Sequence, residues 1–347
     1  MKLFARDALL PSGWARDVLV DIAGEQFHDD RLGLPSRASI DRAASAARGD
    51  IMPRIDTAPA RPDHPSMLRH WLPVAAIAAA VAGCVTVPEQ QDALLLETEG
   101  TVAQRTLSCA QPGAADLAGE GALDPRAVRI ASWNLHKEVD PGWQADLVDL
   151  ISRSDVLLLQ EAGLAPELRA AIERGGLRWM LASSFAYLDA EYGVLTATRV
   201  APAAACTLRA YEPLLGIPKS ALITYFRVIG RDATLAVANI HAINFAPGGM
   251  GYHAQLEALG DALAAHPGPV VIAGDFNTWN EARDGEVRAL AARLSLVPVA
   301  FAVDARRRFF GRIFDWVYVR GVEVHDATAW EVTSSDHNPL LVTFRIR

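Results

Sequence analysis

The stretch VIAGDFNTWN, residues 271–280, decides how the second half of the chain is expected to fold. Its first three residues are apolar and typical of a buried strand, and Gly274 ends the run. Asp275 and Asn277 follow. Because side chains alternate along a strand, both are predicted to point the same way at its carboxyl end. A carboxylate and a carboxamide side by side at the rim of a sheet indicate a functional site.

The same arrangement recurs along the chain from residue 128 onward, where apolar strands release polar residues at or near their ends. The other segments of this kind are VRIASWNL (128–135), DVLLLQEA (155–162), LAVANIHA (235–242), IFDWVYV (313–319) and SSDHNPLLV (334–342). Helices are predicted between strands, at 140–153 with Asp140 as the N-cap, near 165–174, at 251–266 and at 281–294. Helices mixed with a larger number of strands favour an α/β sandwich over strict βαβ repeats.

The polar groups at these strand ends indicate one kind of chemistry. They are carboxylates, carboxamides and imidazoles, without a cysteine cluster. Oxygen ligands suit Mg²⁺, which one or two carboxylates hold while several waters stay bound. A further carboxylate can take a proton from water. The set therefore indicates metal-assisted hydrolysis of a phosphate ester.

Six blocks in this order, WNL, LLLQE, NIHA, GDFN, FDWVYV and SDHNPL, resemble the signature of the endonuclease/exonuclease/phosphatase superfamily, which includes pancreatic DNase. The resemblance spans residues 128–347. PKSALITYF, NIHAINF and RRRFFGRIFDWVYVRG resemble a bacterial branch of it, the YafD-like proteins, more closely. The fold that this implies is a four-layer αββα sandwich of two mixed β-sheets.

The resemblance also implies a role for individual positions. The residues expected to carry the catalytic steps are Asp275, His337, His241, Asp315 and Asn277. Those expected to hold the metal, Mg²⁺ with Mn²⁺ as the alternative, are Glu161, Asn134 and Asp336. Those expected to contact the substrate are Asn239, Lys219 and Asn244.

Within this set, Asp275 is expected to position or deprotonate the attacking water, and Asn277 to hold a phosphate oxygen. His337 would stabilise the charge that develops on the phosphate, and Asp315 would fix its orientation as the aspartate of a catalytic triad does.

Two features depart from the nucleases of the superfamily. The acidic partner of His241, or a tyrosine serving the phosphate, cannot be assigned, and Tyr192 and Glu212 are the candidates. Tyr211 stands where a phosphate-binding arginine would be, and Lys219 is a plausible substitute cation. Outside the site, His136, His253 and His325 are interpreted as surface residues.

The first third of the chain is not expected to be a domain of the mature protein. Residues 67–84 combine a short polar head with an apolar run that is typical of a signal peptide. The run ends in VAGC, which resembles the bacterial lipobox, so Cys84 is the expected lipidation site. Translation would then start at Met67, and residues 1–66, which faintly resemble the opening strands of amidohydrolases, would reflect a start placed too early.

Residues 85–127 are small, acidic and broken by Gly and Pro, which predicts a flexible tether, with a possible helix near 90–98. The three cysteines are too few for a disulfide scaffold. Cys206 is expected to be a small buried apolar residue, and a bridge to Cys109 in an oxidising compartment is the alternative.

Composition limits the choice of function. The formal net charge of −8 does not fit a tight, non-specific nucleic-acid binder. The preferred hypothesis is a Mg²⁺-dependent phosphodiesterase or phosphatase, lipid-anchored at the periplasmic face of the cell envelope, with the outer membrane expected. Its substrate would be a phosphate ester of a lipid head group, a nucleic acid or a small molecule, and no protein partner is inferred. The alternatives are a nuclease, cytoplasmic if there is no lipobox, and a non-catalytic binding lipoprotein.

Overall fold

The computed structural model describes residues 2–10, 13–21, 26–28, 85–90, 93–98, 101–104, 109, 112 and 121–347, apart from 188–189, 214–215, 245–248 and 310. The chain divides into two units, Met1–Ile77 and Ala78–Arg347. In the first unit, β1 (Lys2–Leu10), β2 (Gly13–Asp21) and β3 (Gln26–His28) form an antiparallel sheet. The expected signal peptide, its lipobox and Cys84 lie outside the described residues.

The second unit contains the remaining strands and four described helices. The strands are β4 (Val85–Thr86), β5 (Leu94–Thr98), β6 (Thr101–Gln104), β7 (Val128–Asn134), β8 (Val156–Gly163), β9 (Arg178–Tyr187), β10 (Ala190–Thr198), β11 (Ala204–Tyr211), β12 (Pro218–Phe226), β13 (Leu235–His241), β14 (Val270–Asp275), β15 (Val297–Pro298), β16 (Val303–Asp304), β17 (Arg308–Phe309), β18 (Arg312–Ile313), β19 (Asp315–Arg320), β20 (Val322–Ala329) and β21 (Leu340–Ile346). The helices are α1 (Trp143–Arg153), α2 (Pro166–Arg174), α3 (Met250–Ala264) and α4 (Glu281–Arg293).

These strands form two large mixed sheets and one small hairpin. The larger sheet has the order β16–β20–β21–β7–β8–β10–β9–β5–β6, with β4 also paired to β9. The smaller has the order β11–β12–β13–β14–β19–β15, and β17 pairs with β18. Parallel pairing occurs at β7–β8 and β13–β14, where continuous apolar runs leave both faces of the strands buried.

Apolar clusters fill the three spaces between four layers, and two of these clusters lie between the sheets. Between the sheets, Ile130 and Phe344 of the larger sheet pack with Val271 and Val317 of the smaller. A second core lies between the larger sheet and helices α1 and α2, and a third between the smaller sheet and helices α3 and α4. The αββα sandwich predicted from the sequence is therefore confirmed.

Described parts of 85–127 differ from the flexible tether predicted for them. β5 is hydrogen-bonded to β9, and Leu94 and Leu95 are buried. Cys206 of β11 is buried in the core, as expected, and is joined to Cys109 by the disulfide that was the alternative. The reason is that the edge of β9 offers these leucines a partner that local composition does not reveal. The segment forms a strand there, and the predicted helix near 90–98 is absent from its described residues.

Among the described residues, no helix combines the length and the hydrophobicity needed to span a bilayer.

Candidate active site

Strand register places three of the expected residues in one row. His241 at the end of β13 pairs with Asp275 at the end of β14, and Asp275 pairs with Asp315 at the start of β19. Gly274 makes this row possible, because a Cβ at its φ of 142° would lie 2.0 Å from the Ile240 carbonyl oxygen. A side chain there would push the two parallel strands apart.

Asp315 and His337 form a buried hydrogen-bonded pair. The Asp315 Oδ2 to His337 Nδ1 distance is 2.7 Å. The chain on either side of the imidazole is held as well, because the indole of Trp133 donates to the His337 carbonyl at 3.0 Å and Ser335 Oγ accepts from the His337 amide at 3.0 Å. Burial opposes a charge on the ring, but the carboxylates of Asp315, Asp336 and Asp275 outweigh it and raise the pKa of His337 to about 10. His337 is therefore a fixed imidazolium at neutral pH.

Asp275 lies at the centre of the site. Its Oδ2 is 3.8 Å from His337 Nε2 and accepts from the Asn134 amide at 3.1 Å. Its Oδ1 accepts from the backbone amide of Asn277 at 2.9 Å. Burial, with a contribution from the charge of Asp315, raises the pKa of Asp275 to about 6. A carboxylate with this pKa is suited to accept a proton near neutral pH.

His241 faces Asp275 from the other side of the row. Its Nε2 is 3.6 Å from Asp275 Oδ2, 3.7 Å from Glu161 Oε1 and 3.0 Å from Lys219 Nζ. An ammonium can only donate, so Nε2 is the acceptor in the Lys219 contact. Burial and the charge of Lys219 lower the pKa of His241 well below its ordinary value. The two histidines of the site therefore differ, His241 being neutral and His337 cationic.

Glu161 follows the buried run of β8 and has a left-handed φ of 51°. Its Oε2 accepts from Lys137 Nζ at 2.5 Å, and 17% of its side chain remains exposed. Burial raises the pKa of Glu161, but the charges of Lys137 and Lys219 outweigh it and hold that pKa well below the ordinary value. Glu161 is thus a permanent anion at the mouth of the site.

The segment that follows β7 contains two site residues missed in the sequence. Lys137 contacts Glu161, and His136 is buried, so its interpretation as a surface residue is wrong. His136 Nδ1 is 2.7 Å from Asp140 Oδ2, and its Nε2 is 3.6 Å from Asp336 Oδ2. Asp140 was expected to cap α1, but that helix starts at Trp143 with Gly142 in the N-cap position. Their position just after Asn134, a site residue at a strand end, was the signal that could have identified His136 and Lys137.

Asp336 lies beside both His136 and His337. Its Oδ1 is 3.8 Å from His337 Nε2, and 15% of its side chain is exposed. His253 and His325, in contrast to His136, are exposed as predicted.

The expected substrate contact of Asn239 is wrong. Asn239 is completely buried between the sheets, where its amide donates to the carbonyls of Leu159 and Leu195 at 3.1 and 2.9 Å and accepts from Gln160 at 2.7 Å. It faces the same way as His241 but lies one pleat deeper in the sandwich. The asparagine therefore joins the two sheets.

The asparagines around the row mainly hold its backbone. Asn134 donates to Asp275 and accepts from the His136 amide at 3.0 Å. Asn277, with a φ of 49°, donates its side-chain amide to the Ala242 carbonyl at 2.8 Å. The backbone amide of Asn244 donates to Glu212 at 2.8 Å.

Arg283 of α4 fixes the loops that follow β13 and β14. Its guanidinium donates to the carbonyls of Ile243, Asn277 and Asn244 at 2.5, 3.0 and 2.7 Å. It also lies over the rings of Tyr252 and Trp279, at 4.3 and 4.7 Å from the centroids. Burial lowers the pKa of Arg283 to about 10, so it stays charged at neutral pH.

The acidic partner of His241 can now be assigned. Glu212 does not fill that role, because it binds the Asn244 amide. Tyr192, the candidate for a tyrosine that serves the phosphate, stacks on Phe185. The carboxylates beside His241 are Glu161 and Asp275.

The donor chemistry of the site suits a divalent cation. Asp275, Asp315 and His337 have ligand atoms within 4.8 Å of one another, a spacing that could hold a metal ion. The 2.7 Å hydrogen bond between Asp315 and His337 already occupies one atom of each. The carboxylates of Glu161 and Asp336 are more exposed, and oxygen donors with access to water are what Mg²⁺ prefers.

Comparison with known proteins gives two family-model matches. The model described as "Endonuclease/Exonuclease/phosphatase family" matches residues 131–337, and "Formimidoylglutamate deiminase HutF, N-terminal domain" matches residues 2–28. The first range contains the whole row of site residues, from Asn134 to His337. The second lies entirely within the first unit of the chain.

Similar whole proteins support the first match. A UPF0294 protein of Klebsiella pneumoniae is 40% identical over 228 residues, which cover 65% of this chain and 85% of that protein. A UPF0294 protein of Yersinia pseudotuberculosis is 39% identical over 227 residues, 65% of this chain and 87% of that protein. These proteins correspond to the YafD-like branch that the sequence resembles.

Solved structures agree in fold. An endonuclease/exonuclease/phosphatase from Bacteroides vulgatus has a TM-score of 0.51 at 18% identity, covering 64% of this chain and 99% of that one. Another, from Beutenbergia cavernae, has a TM-score of 0.50 at 19% identity, covering 64% and 72%.

Proposed function

The chain belongs to the endonuclease/exonuclease/phosphatase family, and from that premise we propose that it hydrolyses phosphodiesters with the help of Mg²⁺. The observation that carries the proposal is the row His241, Asp275 and Asp315 across adjacent strand ends. With His337 on one side and Glu161 on the other, this row combines a proton acceptor, two unlike imidazoles and a metal-binding carboxylate within one cleft.

Glu161 and Asp336 would hold the cation, with Asn134 as a further oxygen donor. When bound, Mg²⁺ would supply Lewis-acid stabilisation of a phosphoryl oxygen. Mn²⁺ prefers similar oxygen donors and would serve in its place.

Asp275 would take the proton from the attacking water. Its pKa of about 6 keeps it ionised at neutral pH but close enough to that pH to accept a proton in the transition state. Asn134 and Asn277 fix the carboxylate through one hydrogen bond to each of its oxygens.

The imidazolium of His337 would face the charge that grows on the phosphate. Because Asp315 already pairs with its Nδ1, the Nε2 hydrogen is left to donate into the cleft. A preorganised cationic donor of this kind strengthens as charge develops. On the opposite side, Lys219 beside neutral His241 would bind a second phosphate oxygen.

The proposed substrate is a small or lipid phosphodiester. A nucleic-acid substrate fits the charge of this protein less well. The net charge is −8, and arginines of the RRRFFGR segment are engaged inside the protein. Arg306 is buried over the rings of Phe301 and Trp316, and Arg312 pairs with acidic residues of α4. Arg307 and Arg308 remain exposed, but two cations are fewer than a protein that binds along a nucleic-acid backbone places on the phosphates.

A panel assay tests the function. The full chain with Mg²⁺ would be offered bis-p-nitrophenyl phosphate, p-nitrophenyl phosphate, glycerophosphodiesters, sphingomyelin, plasmid DNA and RNA. We expect diester hydrolysis that EDTA abolishes and that Asp275→Asn reduces by orders of magnitude. Activity that persists in EDTA, or an Asp275→Asn variant as fast as the wild type, would refute the mechanism.

We further propose that the protein is anchored in the cell envelope through lipidated Cys84. The disulfide between Cys109 and Cys206 supports an oxidising compartment, since such bridges are rare in the cytosol. In cell fractions, Cys84→Ser should move the protein from the membrane pellet to the soluble fraction, while Cys109→Ser should leave it in the pellet. Retention of the Cys84→Ser protein in the membrane pellet after a high-salt wash would place the anchor elsewhere.

A further inference from the structure

Lysine is rare in this chain, and its placement is uneven. The sequence contains Lys2, Lys137 and Lys219, whereas lysine and arginine together number 33. Lys137 and Lys219 both reach the cleft, one on Glu161 and the other on His241. Lys219 has a place in the proposed phosphate contact. The proposed function gives Lys137 no role, although its ammonium contacts the proposed metal ligand Glu161.

The contact of Lys137 occupies one of the two carboxylate oxygens of Glu161. Lys137 Nζ lies 2.5 Å from Oε2, and His241 Nε2 lies 3.7 Å from Oε1. The Lys137 side chain is 35% exposed and that of Glu161 17%, so this ion pair is reachable from solvent. An ion that enters the cleft therefore meets an ammonium already seated on the carboxylate.

The backbone directs Lys137 to this place at a conformational cost. His136, Lys137 and Glu138 all have left-handed φ values, 49°, 55° and 56°. Left-handed L-residues in succession are rare, because each brings its Cβ close to a carbonyl oxygen.

The flanking residues hold this turn in place. Glu138 accepts from the Gly163 amide at 2.9 Å, and the His136 amide donates to Asn134 at 3.0 Å. Such strain persists only where the surroundings fix it, and it concentrates at functional sites.

An ammonium and a divalent cation compete for the same carboxylate oxygen. Their charges repel, and Mg²⁺ requires ligand distances of about 2.0–2.1 Å in an octahedral arrangement that leaves no room for the lysine head. Binding of the cation to that oxygen would thus displace the Lys137 ammonium, and the substrate phosphate would offer it a new anionic partner.

We propose that Lys137 is an exchangeable counter-ion of Glu161, which pairs with the carboxylate until Mg²⁺ takes it and then donates to a non-bridging oxygen of the phosphodiester. This inference rests on the proposed function. Lys137 thereby lowers the affinity of the free protein for Mg²⁺ and raises that of the loaded protein for its substrate. Cation and substrate binding become coupled, so the cleft is fully assembled only when both are present.

Calorimetric titration of Mg²⁺ into the full chain without substrate tests the competition. Lys137→Met removes the ammonium and keeps most of the side-chain length, so it should bind Mg²⁺ about tenfold more tightly than the wild type, a change of about 1.4 kcal/mol. Lys137→Arg keeps the charge and should stay near the wild-type affinity. Arg345→Met is the control, because it removes one cation from a surface ion pair with Glu323. The control should bind Mg²⁺ as the wild type does.

Two further readouts follow the lysine itself. In wild-type protein labelled with ¹⁵N-lysine, the Lys137 signal should shift as Mg²⁺ saturates the site, and Lys2 should not respond. With Mg²⁺ saturating, Lys137→Met should raise KM for bis-p-nitrophenyl phosphate more than it lowers kcat, because its contact is made in the bound substrate as well.

Unchanged or weaker Mg²⁺ affinity in Lys137→Met, or a Lys137 signal that ignores Mg²⁺, would overturn the proposal. If the wild type still hydrolyses the diester and loses that activity in EDTA, the proposed function stands without it. If neither the wild type nor Lys137→Met binds Mg²⁺ or hydrolyses any diester, both proposals fail together.

Discussion

His337 Nδ1 donates to Asp315 Oδ2 at 2.7 Å, and His337 Nε2 lies 3.8 Å from Asp275 Oδ2. The three side chains are buried and share their charges, so a change in one alters the protonation of the others. Asp275 and His337 consequently have opposite tasks, set by their surroundings. The first is an anion poised to accept a proton, and the second is a cation fixed to meet negative charge.

Asp315 and His337 are expected to act as one unit. His337→Ala should reduce kcat by orders of magnitude, because it deletes the cation that meets the developing charge. Asp315→Asn should reduce kcat less, since an amide can still contact the ring but no longer stabilises its charge. The double variant should be scarcely slower than His337→Ala alone.

Measured kcat and Tm of the three variants separate this account from a structural one. Rate losses that multiply would contradict the coupled pair. So would an Asp315→Asn variant that lowers Tm but keeps its turnover per folded molecule.

The shifted pKa values predict the pH dependence of kcat/KM. Asp275 must be ionised to act as a base, and its raised pKa means that activity is lost as pH falls through about 6. A bound cation favours the ionised form, so the limb in the loaded enzyme lies at or below this value. His337 must be protonated, and with a pKa of about 10 it limits activity only in strongly alkaline solution. A pH–rate profile with an alkaline limb near 7 would contradict the assignment of the imidazolium.

Side-chain identities could be predicted from sequence better than side-chain tasks. Asp275, His337 and Glu161 could be found because polar or charged groups at the ends of apolar strands indicate a functional site. Asn239 was placed one pleat too close to the substrate, because the length of β13 that lies between the sheets cannot be read from its letters. His136 and Lys137 follow a strand end, which was a signal, but the left-handed backbone at these non-glycine residues could not be predicted from the sequence.

The strand ends meet in one cleft because of register, and register depends on single small residues. Gly274 lets β13 and β14 approach, since a Cβ there would lie 2.0 Å from the Ile240 carbonyl. Register also places β5, which joins the larger sheet by pairing with β9 and buries Leu94 and Leu95. The glycine could be recognised as the end of an apolar run, but the pairing of β5 with β9 is a long-range contact that no local pattern specifies.

Gly274→Ala should therefore destabilise the protein strongly, by about 3 kcal/mol or more, through a backbone clash and an unfavourable φ. Gly230→Ala is the matched control, because Gly230 also has a positive φ, 70°, but nothing lies within 4 Å of a Cβ there. Its cost should be about 1–2 kcal/mol. Urea denaturation of both variants gives the comparison, and equal losses at the two positions would show that close packing at Gly274 is not the cause.

Local strand and helix patterns predicted an α/β sandwich, and the four-layer αββα arrangement was implied by the family resemblance. Family resemblance placed those elements in order. The first unit and the proposed envelope anchor do not follow from the same family resemblance. The match of residues 2–28 concerns another family than the match of residues 131–337.

Dependence of turnover on Mg²⁺ concentration in wild type and Glu161→Gln tests the central claim most directly. Glu161→Gln keeps the shape of the side chain but removes its negative charge, so the Mg²⁺ concentration for half-maximal rate should rise at least about tenfold and the maximal rate should fall. Glu173→Gln on α2, which loses an exposed carboxylate that is 3.7 Å from Arg169, should follow the wild-type curve. A Glu161→Gln curve that coincides with the wild type would contradict the assignment of Glu161 as the metal-binding carboxylate of a phosphodiesterase.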